Sequence, residues 1–283
     1  MKEKQKYGLI VIVITLATVA IGLHYRFAPK GWDWIHTFRP ATLTMLDGQS
    51  PYHDLENDGD FWNPPWTLIP FIPIALLPER LSATVFFFVA LISYFIIIMR
   101  FKVKITPLLL FFFSPPIMAD LATGNNAWLT MLGYLMPPSI GLFFVMIKPQ
   151  VGGIVAVYWL VEGWREGGFK KVIITFSPVI VAYVLSFLIY GFWTTKLPSI
   201  LNGGINLGLY PYSIPLGLFL LSRALQKREI KYAYMASPFL APYAAINSLG
   251  TVVLGLISST RDTFVTTLGL WIMNYILAKG YGK

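Results

Sequence analysis

The sequence contains no cysteine, which excludes a disulfide framework, a thiolate nucleophile and a cysteine-based metal site. Charged residues are scarce: they make up 12% of the 283 residues, against about a quarter in an ordinary soluble domain. Apolar residues are abundant instead. A hydrophobic content of 56% and a positive mean hydropathy exclude a water-soluble globule and indicate a polytopic membrane protein.

The apolar runs recur along the whole chain, with no separate polar domain and no internal repeat. They lie at 7–23, 65–78, 82–99, 105–119, 124–136, 139–147, 150–163, 172–190, 211–222, 232–257 and 263–278. Several are shorter than the roughly 20 residues that one crossing needs. The sequence therefore predicts a single all-α transmembrane domain over residues 1–283, with about 8–11 membrane segments, some of them short or re-entrant.

The net charge of +9 has a membrane explanation, so nucleic acid is not expected as a partner. Most basic residues stand in short clusters between apolar runs, where the positive-inside rule places them in the cytoplasm. These clusters are Lys2, Lys4 and Lys6; Arg100, Lys102 and Lys104; Arg165, Lys170 and Lys171; and Arg223, Lys227, Arg228 and Lys231. We interpret 7–23 as an uncleaved first helix with its N-terminus inside, which puts the loop 24–63 outside.

The topology between residues 65 and 104 stays open. If 65–78 crosses the membrane and 82–99 crosses back, the Arg100 cluster lies outside, against the charge rule. If the proline-rich segment 65–78 is re-entrant, the cluster lies inside. We favour the re-entrant arrangement, which is tolerated at membrane depth where protein or a water-filled cavity satisfies the backbone, and which therefore hints at a cavity.

Polar chemistry is concentrated in the first outside loop. All three histidines, His24, His36 and His53, lie there, together with six of the 13 acids. The apolar residues within 35–46 recur at helical spacing and predict a short amphipathic helix on the outer membrane surface, with Trp32 and Trp34 as interfacial anchors.

Three acidic features of this loop each have two interpretations. Asp33 is either the N-cap of the surface helix or a general base at the water-lipid boundary. Asp47, in a turn-like "DGQSPY" stretch, is more typical of a turn former than of a catalyst. Asp58 and Asp60 have the spacing of a divalent-metal pair, although an acidic glycine turn in water is the commoner explanation, and no cofactor is expected.

An ordered series of short motifs resembles the integral-membrane glycosyltransferases of the GT-C fold, and in particular the bacterial polyprenyl-phosphate-mannose-dependent family, glycosyltransferase family 87. The motifs cover most of the chain: "DWIHTFRPATLTMLDGQSPYHD", "NPPW", "PIALLP", "GNNAWLTML", "IKPQ" and "ASPFLAPYA". Two departures stand out. "GNNA" replaces the family's usual Gly-Gln-x-Asn, and the His-Tyr that usually follows Ser-Pro is replaced by Pro242 and Tyr243.

The resemblance implies an inverting transfer of a sugar, mannose by analogy, from a polyprenyl phosphate to a lipid or glycan hydroxyl on the outer face of the cell membrane. Asp33 would take the hydroxyl proton. Lys148, a lone cation among apolar residues, would hold the leaving phosphate or else snorkel to the interface; Arg39 would contact phosphate or pair with Asp33. Asp120 either caps the next helix or faces the cavity. Further substrate or cavity candidates are His36, Tyr52, Asn63, Asn125, Asn126, Gln150 and Tyr243.

Two other functions stay open. A flippase or exporter of a lipid-linked sugar also uses broken helices and intramembrane charges, although no paired halves are visible here. A sugar-lipid-binding subunit that kept the fold and lost turnover is the third possibility. Asp33 separates it from an enzyme, since a binding subunit would tolerate Asp33→Ala.

Overall fold

The computed structural model describes residues 3–52, 61–196 and 206–280, and every regular element within these ranges is helical. The α-helices are α1 (Glu3–Phe27), α2 (Arg39–Leu46), α3 (Ile72–Ala75), α4 (Glu79–Met99), α5 (Ile105–Phe112), α6 (Pro115–Thr123), α7 (Ala127–Leu132), α8 (Pro138–Val145), α9 (Pro149–Tyr190), α10 (Ile214–Lys227), α11 (Ile230–Leu240), α12 (Gly250–Leu256) and α13 (Thr260–Gly280). A π-helical turn at Trp34–Phe38 precedes α2, and short 3-10 turns lie at Pro65–Thr67, Ile69–Phe71, Gly133–Leu135, Trp193–Lys196 and Ile246–Leu249.

Prolines account for the many short helices. Pro65 begins a 3-10 turn, and the segment up to α3 contains two such turns in place of one continuous helix. Pro115 begins α6 directly after α5, and the two helices bend by 52° at this break. Proline lacks the N–H that an interior helical position needs, so it is favoured at the first turn and ends the preceding helix.

Two helices, α4 and α9, are long and apolar enough to cross a membrane, or three spans if the bent pair α5 and α6 is counted as one. This count, taken over the described residues, is lower than the 8–11 segments predicted. The reason is that many of the predicted runs form helices of 4 to 14 residues. Segment 65–78 does not form a spanning helix: its helical part, Pro65–Ala75, is short.

The long helix α9 reverses direction at its middle. Gly167 and Gly168 have non-helical backbone angles, with φ +59° at Gly168. The two arms then run back along each other. A hydrogen bond from the Tyr183 hydroxyl to the Met146 carbonyl, at 3.4 Å, shows that their far ends lie side by side. In one straight helix these residues would lie more than about 50 Å apart. Helix α9 is therefore a hairpin of two arms, 149–166 and 169–190.

A second hairpin, α10 and α11, packs on the first, and a group of ion pairs ties their turns together. Glu162 is buried near the α9 turn and accepts hydrogen bonds from Arg165 at 2.7 Å and from Arg228 at 2.6 Å. Arg165 also donates to the Leu225 carbonyl at 2.7 Å. Both hairpins thus have their turns at one end of the molecule, which we call the basic end and define by Arg165, Lys170, Lys171, Arg223, Lys227, Arg228 and Lys231.

The predicted surface helix forms, but the prediction that Trp34 anchors it at the interface is wrong. Trp34 is 0% exposed, stacks on Phe86 of α4 with ring centroids 4.1 Å apart, and donates its Nε1–H to Ser82 at 3.0 Å. Phe38 of the same segment is also buried and contacts Phe71, so this part of the apolar face packs inside the protein. Trp32, by contrast, is 66% exposed.

Candidate active site

A cavity of about 1110 Å³ lies at the end of the molecule opposite the basic end, and several distant parts of the chain meet in its wall. The predicted site residues that line it are Asp33, Asn63, Asn125, Lys148, Gln150 and Tyr243. Among the described lining residues, Asp33 supplies the one carboxylate and Lys148 the one cation. Asp33 directly precedes the π-helical turn and has helical backbone angles, whereas Lys148 precedes α9 with an extended backbone.

Two glycines bring Asp33 and Asn125 together. Gly31 and Gly124 both have a left-handed backbone, with φ +79° and +69°. A Cβ on Gly31 would lie 3.0 Å from the Gly124 nitrogen, and a Cβ on Gly124 would lie 2.7 Å from the Trp34 Cβ. Because glycine adopts this conformation without strain and has no side chain, the two backbone segments can touch. This contact places the Asp33 carboxylate beside the Asn125 amide.

The Asn125 amide bridges the carboxylate and the cation. Its Nδ2 donates to Asp33 Oδ2 at 2.5 Å, and its Oδ1 accepts from Lys148 Nζ. The backbone N–H of Asn126 donates to the same Oδ1 at 2.7 Å. The Lys148 ammonium and the Asn126 N–H are both donors, so they meet the amide oxygen, and the amide nitrogen faces the Asp33 carboxylate. The prediction that Asp33 caps the following helix is wrong, because its side chain makes no capping hydrogen bond.

Lys148 is buried, with 7% exposure, at the N-terminus of α9. Burying an ammonium group is costly unless it meets hydrogen-bond acceptors or an anion. Asn125 accepts from one of its three N–H donors, and the part of the chain that the structure describes shows no hydrogen-bond partner for the other two. The adjoining backbone is held by Asn63, whose Nδ2 donates to the Ile147 carbonyl at 2.9 Å. The helix dipole of the first α9 arm adds positive potential at this point.

Asp120 supports the site from behind and does not line the cavity. It is fully buried; its Oδ1 accepts the Ala127 N–H at 3.2 Å, and its Oδ2 accepts the Tyr94 hydroxyl at 2.7 Å. The capping interpretation of Asp120 is therefore confirmed. By holding the start of α7, Asp120 fixes the end of the loop that carries Asn125.

Four other predicted site residues lie outside the cavity lining. The Arg39 Nη2 donates to the Leu77 carbonyl at 3.3 Å, and His36 stacks on Trp32 with ring centroids 3.9 Å apart. Tyr52 is buried behind the wall, where its hydroxyl donates to the Asn63 carbonyl at 2.8 Å. Asn126 is fully buried, and no partner for its amide is found among the described residues. The geometry thus separates Arg39 from the place where a phosphate would meet Lys148.

The metal alternative cannot be placed, because Asp58 and Asp60 lie outside the described residues. Within the described ranges, no three acidic, histidine or cysteine side chains come together as a metal site would require. The expectation of a metal-independent reaction stays a prediction.

The cavity also contains polar and aromatic residues outside the predicted site set, among them Trp193, which the sequence offers either as a sugar contact or as part of an interfacial belt. Asn247 and Asn274 stand in apolar runs and line the wall, a position in which an amide is unusual without a polar neighbour. The aromatic side is built from Trp193, which lies parallel to the Tyr52 ring at 5.1 Å, and from Tyr183. Trp32 and Thr37 line the cavity beside Asp33.

Tyr243 is a hydrogen-bond donor in this wall. Burial, and secondarily the negative charge of Asp33, raise the pKa of its hydroxyl above the ordinary value. The phenol therefore stays protonated at physiological pH and can donate to a ligand oxygen.

Comparison with known proteins finds no matching family model, no matching curated protein and no matching solved structure. A function for this chain accordingly rests on the chemistry of the cavity.

Proposed function

We propose that the protein is a polytopic membrane glycosyltransferase of the GT-C type, which transfers a sugar from a polyprenyl phosphate to an acceptor hydroxyl. The observation that carries this proposal is the pairing of one carboxylate, Asp33, with one buried ammonium, Lys148, on either side of the Asn125 amide in a large cavity. Mannose is the favoured sugar because of the resemblance to the mannose-dependent family.

The two charged groups suit the two demands of the reaction. Asp33 takes the proton of the acceptor hydroxyl as that oxygen forms a bond to the anomeric carbon. The bond from the anomeric carbon to the phosphate oxygen breaks at the same time, and the electron pair leaves with the phosphate. Lys148, the α9 N-terminus and the Tyr243 hydroxyl are placed to stabilise that developing charge. Asn125 keeps base and ammonium from neutralising each other in a direct ion pair.

A single displacement of this kind inverts the anomeric configuration. Retention by double displacement would need a second carboxylate near Asp33 as a nucleophile, as in retaining glycosidases. The described lining residues supply no second carboxylate, since Asp120 is turned toward Tyr94 and Ala127. We therefore assign an inverting reaction.

The convergence of the motifs supports the resemblance. Asp33, "NPPW", "GNNA", "IKPQ" and Tyr243 stand far apart in the sequence, and each contributes residues to the same cavity wall. Conversely, Arg39 donates to the Leu77 carbonyl and Asn126 is turned inward, so we leave both out of the proposed phosphate site.

We further propose nine membrane passages that alternate between the cavity end and the basic end. The two arms of α9 and the 21-residue α4 each span about 27–33 Å at 1.5 Å per residue, which matches a hydrocarbon core. The other six connections between the two ends are α1, α5 with α6, α10, α11, the turn Ile246–Leu249 with α12, and α13; of these, α11 and Ile246–Leu256 are each shorter than a full crossing of the hydrocarbon core. Segment 65–78 stays at the cavity end, so the Arg100 cluster falls at the basic end.

This arrangement orients the protein. The basic end carries the clusters that the positive-inside rule assigns to the cytoplasm, and the cavity lies at the other end. We therefore place the site on the extracytoplasmic face, with the N-terminus inside and the lipid-linked donor entering from the membrane.

Reconstitution into liposomes tests the proposal against its two rivals. With radiolabelled polyprenyl-phosphate-mannose in the bilayer, the enzyme releases polyprenyl phosphate and labels an added membrane glycolipid. A flippase would move the donor from one leaflet to the other, which would change the accessibility of its sugar to periodate, and it would form no product. A binding subunit would retain the donor and do neither, and either of those results would reject the proposal.

A further inference from the structure

The cavity is large: its volume of about 1110 Å³ is close to the upper end of the roughly 300–1000 Å³ of pockets that enclose a drug-sized molecule. In the proposed reaction, Lys148 marks the part that holds the donor phosphate. Trp32 and Thr37, on the same short segment as Asp33, form another part of the wall.

Trp32 has an unusual combination of exposure and support. Its side chain is 66% exposed and lines the cavity, while the neighbouring Trp34 is fully buried. One face of the Trp32 ring is covered by His36, one helical turn later, with ring centroids 3.9 Å apart. The two rings are tilted by 32°, so this contact supports the indole on one side, while most of the side chain stays exposed.

An exposed, supported indole is suited to a flat apolar surface that also carries hydroxyl groups. The C–H face of a pyranose ring has this character, and its hydroxyls remain free at the edge. Because Trp32 and Asp33 both line the cavity, a ring stacked on the indole can present an edge hydroxyl to the carboxylate. Thr37 lines the same wall one turn later and offers a hydroxyl partner.

We infer that Trp32 forms the acceptor subsite, and that the acceptor is a carbohydrate whose pyranose ring stacks on this indole. A simple lipid alcohol would gain nothing from the platform beyond apolar contact. The identification of the bound sugar as the acceptor rests on the proposed transferase function; the existence of the sugar site does not.

Binding of tritiated octyl α-mannoside to the protein in lipid nanodiscs, with empty nanodiscs subtracted, tests the inference. Trp32→Ala should weaken binding about fivefold to tenfold, and Trp32→Phe should recover most of it, because an aromatic contact is lost in one variant and kept in the other. Trp164→Ala is the matched control, since Trp164 is 60% exposed and lies near the basic end, away from the cavity. An excess of 1-octanol should not compete.

Equal affinity of wild type and Trp32→Ala, with unchanged melting temperatures, would overturn the inference, as would full competition by 1-octanol. A parallel assay of sugar transfer by wild type separates this result from the proposed function, because binding of the mannoside does not depend on turnover. If wild type binds the mannoside through Trp32 but never transfers sugar, the sugar site stands and the transferase assignment fails.

Discussion

At the scale of residues, the central feature is that a carboxylate and a buried ammonium share a cavity wall without touching. The Asn125 amide lies between them and satisfies one oxygen of Asp33 and one N–H of Lys148. A direct ion pair would hold Asp33 as the partner of Lys148 and lower its tendency to take a proton. In the proposed reaction, the amide leaves Asp33 free to act as the base and Lys148 free to hold the donor phosphate.

Replacing Lys148 with methionine should mainly weaken donor binding. The substitution keeps an unbranched apolar side chain and removes the ammonium that meets the phosphate. A hydrogen bond to a charged group contributes about 1.5–3 kcal/mol, so we expect donor Kd to rise about tenfold to a hundredfold. Equilibrium binding of polyprenyl-phosphate-mannose measures it. Lys170→Met, at the basic end, is the control, and similar weakening in both variants would contradict the role of Lys148.

Replacing Asn125 with alanine should slow transfer more than it weakens binding. Without the amide, Lys148 and Asp33 are free to pair directly, and the base is displaced from its working position. We expect kcat to fall about tenfold or more, with a smaller change in KM. Asn126→Ala is the neighbouring control, since Asn126 faces away from the cavity. Loss of activity in Asn126→Ala alone would show that the assignment of the two amides is reversed.

At the scale of elements, the site depends on where helices are interrupted. Asp33 and Lys148 each stand just before a helical segment, and Asn125 lies in the loop between α6 and α7. The close contact of Gly31 with Gly124 joins the break at Asp33 to the break at Asn125. The hydrogen bond from Asn63 to the Ile147 carbonyl joins the break at Lys148 to the "NPPW" turn.

A substitution at Gly124 should damage both stability and transfer. Gly124→Ala adds a Cβ that would lie 2.7 Å from the Trp34 Cβ, and it also forces a left-handed backbone on alanine. The backbone alone costs about 1–2 kcal/mol. Gly48→Ala is the matched control, because Gly48 has φ +75° but nothing within 4 Å of the added atom. Thermal unfolding should show a larger decrease for Gly124→Ala, with transfer lost only there; equal decreases would contradict the close-contact account.

The helix breaks and the main polar residues of the site are predictable from the sequence, but the packing around them is not. Prolines and the charged glycine turn near 167 mark the helix breaks, and Asp33, Asn125 and Lys148 stand out as polar residues in apolar surroundings. The burial of Trp34 is not predictable, because an amphipathic face looks the same whether it meets lipid or α4. For the same reason the sequence does not tell which of Asn125 and Asn126 faces the cavity.

At the scale of the whole molecule, the described helices connect two chemically different ends. One end collects basic clusters and the Glu162 ion pairs that tie two hairpin turns together. The other end holds the cavity. The sequence predicts the basic clusters and the series of apolar segments. The number of helices long enough to cross a membrane is lower than the 8–11 segments predicted, because short helices are tolerated where neighbouring helices shield their ends.

The proposed orientation predicts that the cavity end of the molecule is accessible from outside the cell and that the basic end is not. Since the protein has no cysteine, single-cysteine variants need no background removal. Gln49→Cys, exposed near the cavity end, should react with a membrane-impermeant maleimide on intact cells. Lys170→Cys and Lys227→Cys, both exposed at the basic end, should react only after permeabilisation. The reverse pattern would contradict the orientation.

The most direct test of the account is a single-turnover measurement of sugar transfer by Asp33→Asn with bound, radiolabelled polyprenyl-phosphate-mannose. Asp47→Asn serves as the control, because Asp47 is exposed and lies outside the cavity lining. The account predicts that Asp33→Asn binds the donor like wild type and transfers at least about a thousandfold more slowly, at the upper part of the range for loss of a general base. Wild type and Asp47→Asn should transfer at equal rates, with or without EDTA. Transfer by Asp33→Asn at the wild-type rate would contradict the central claim.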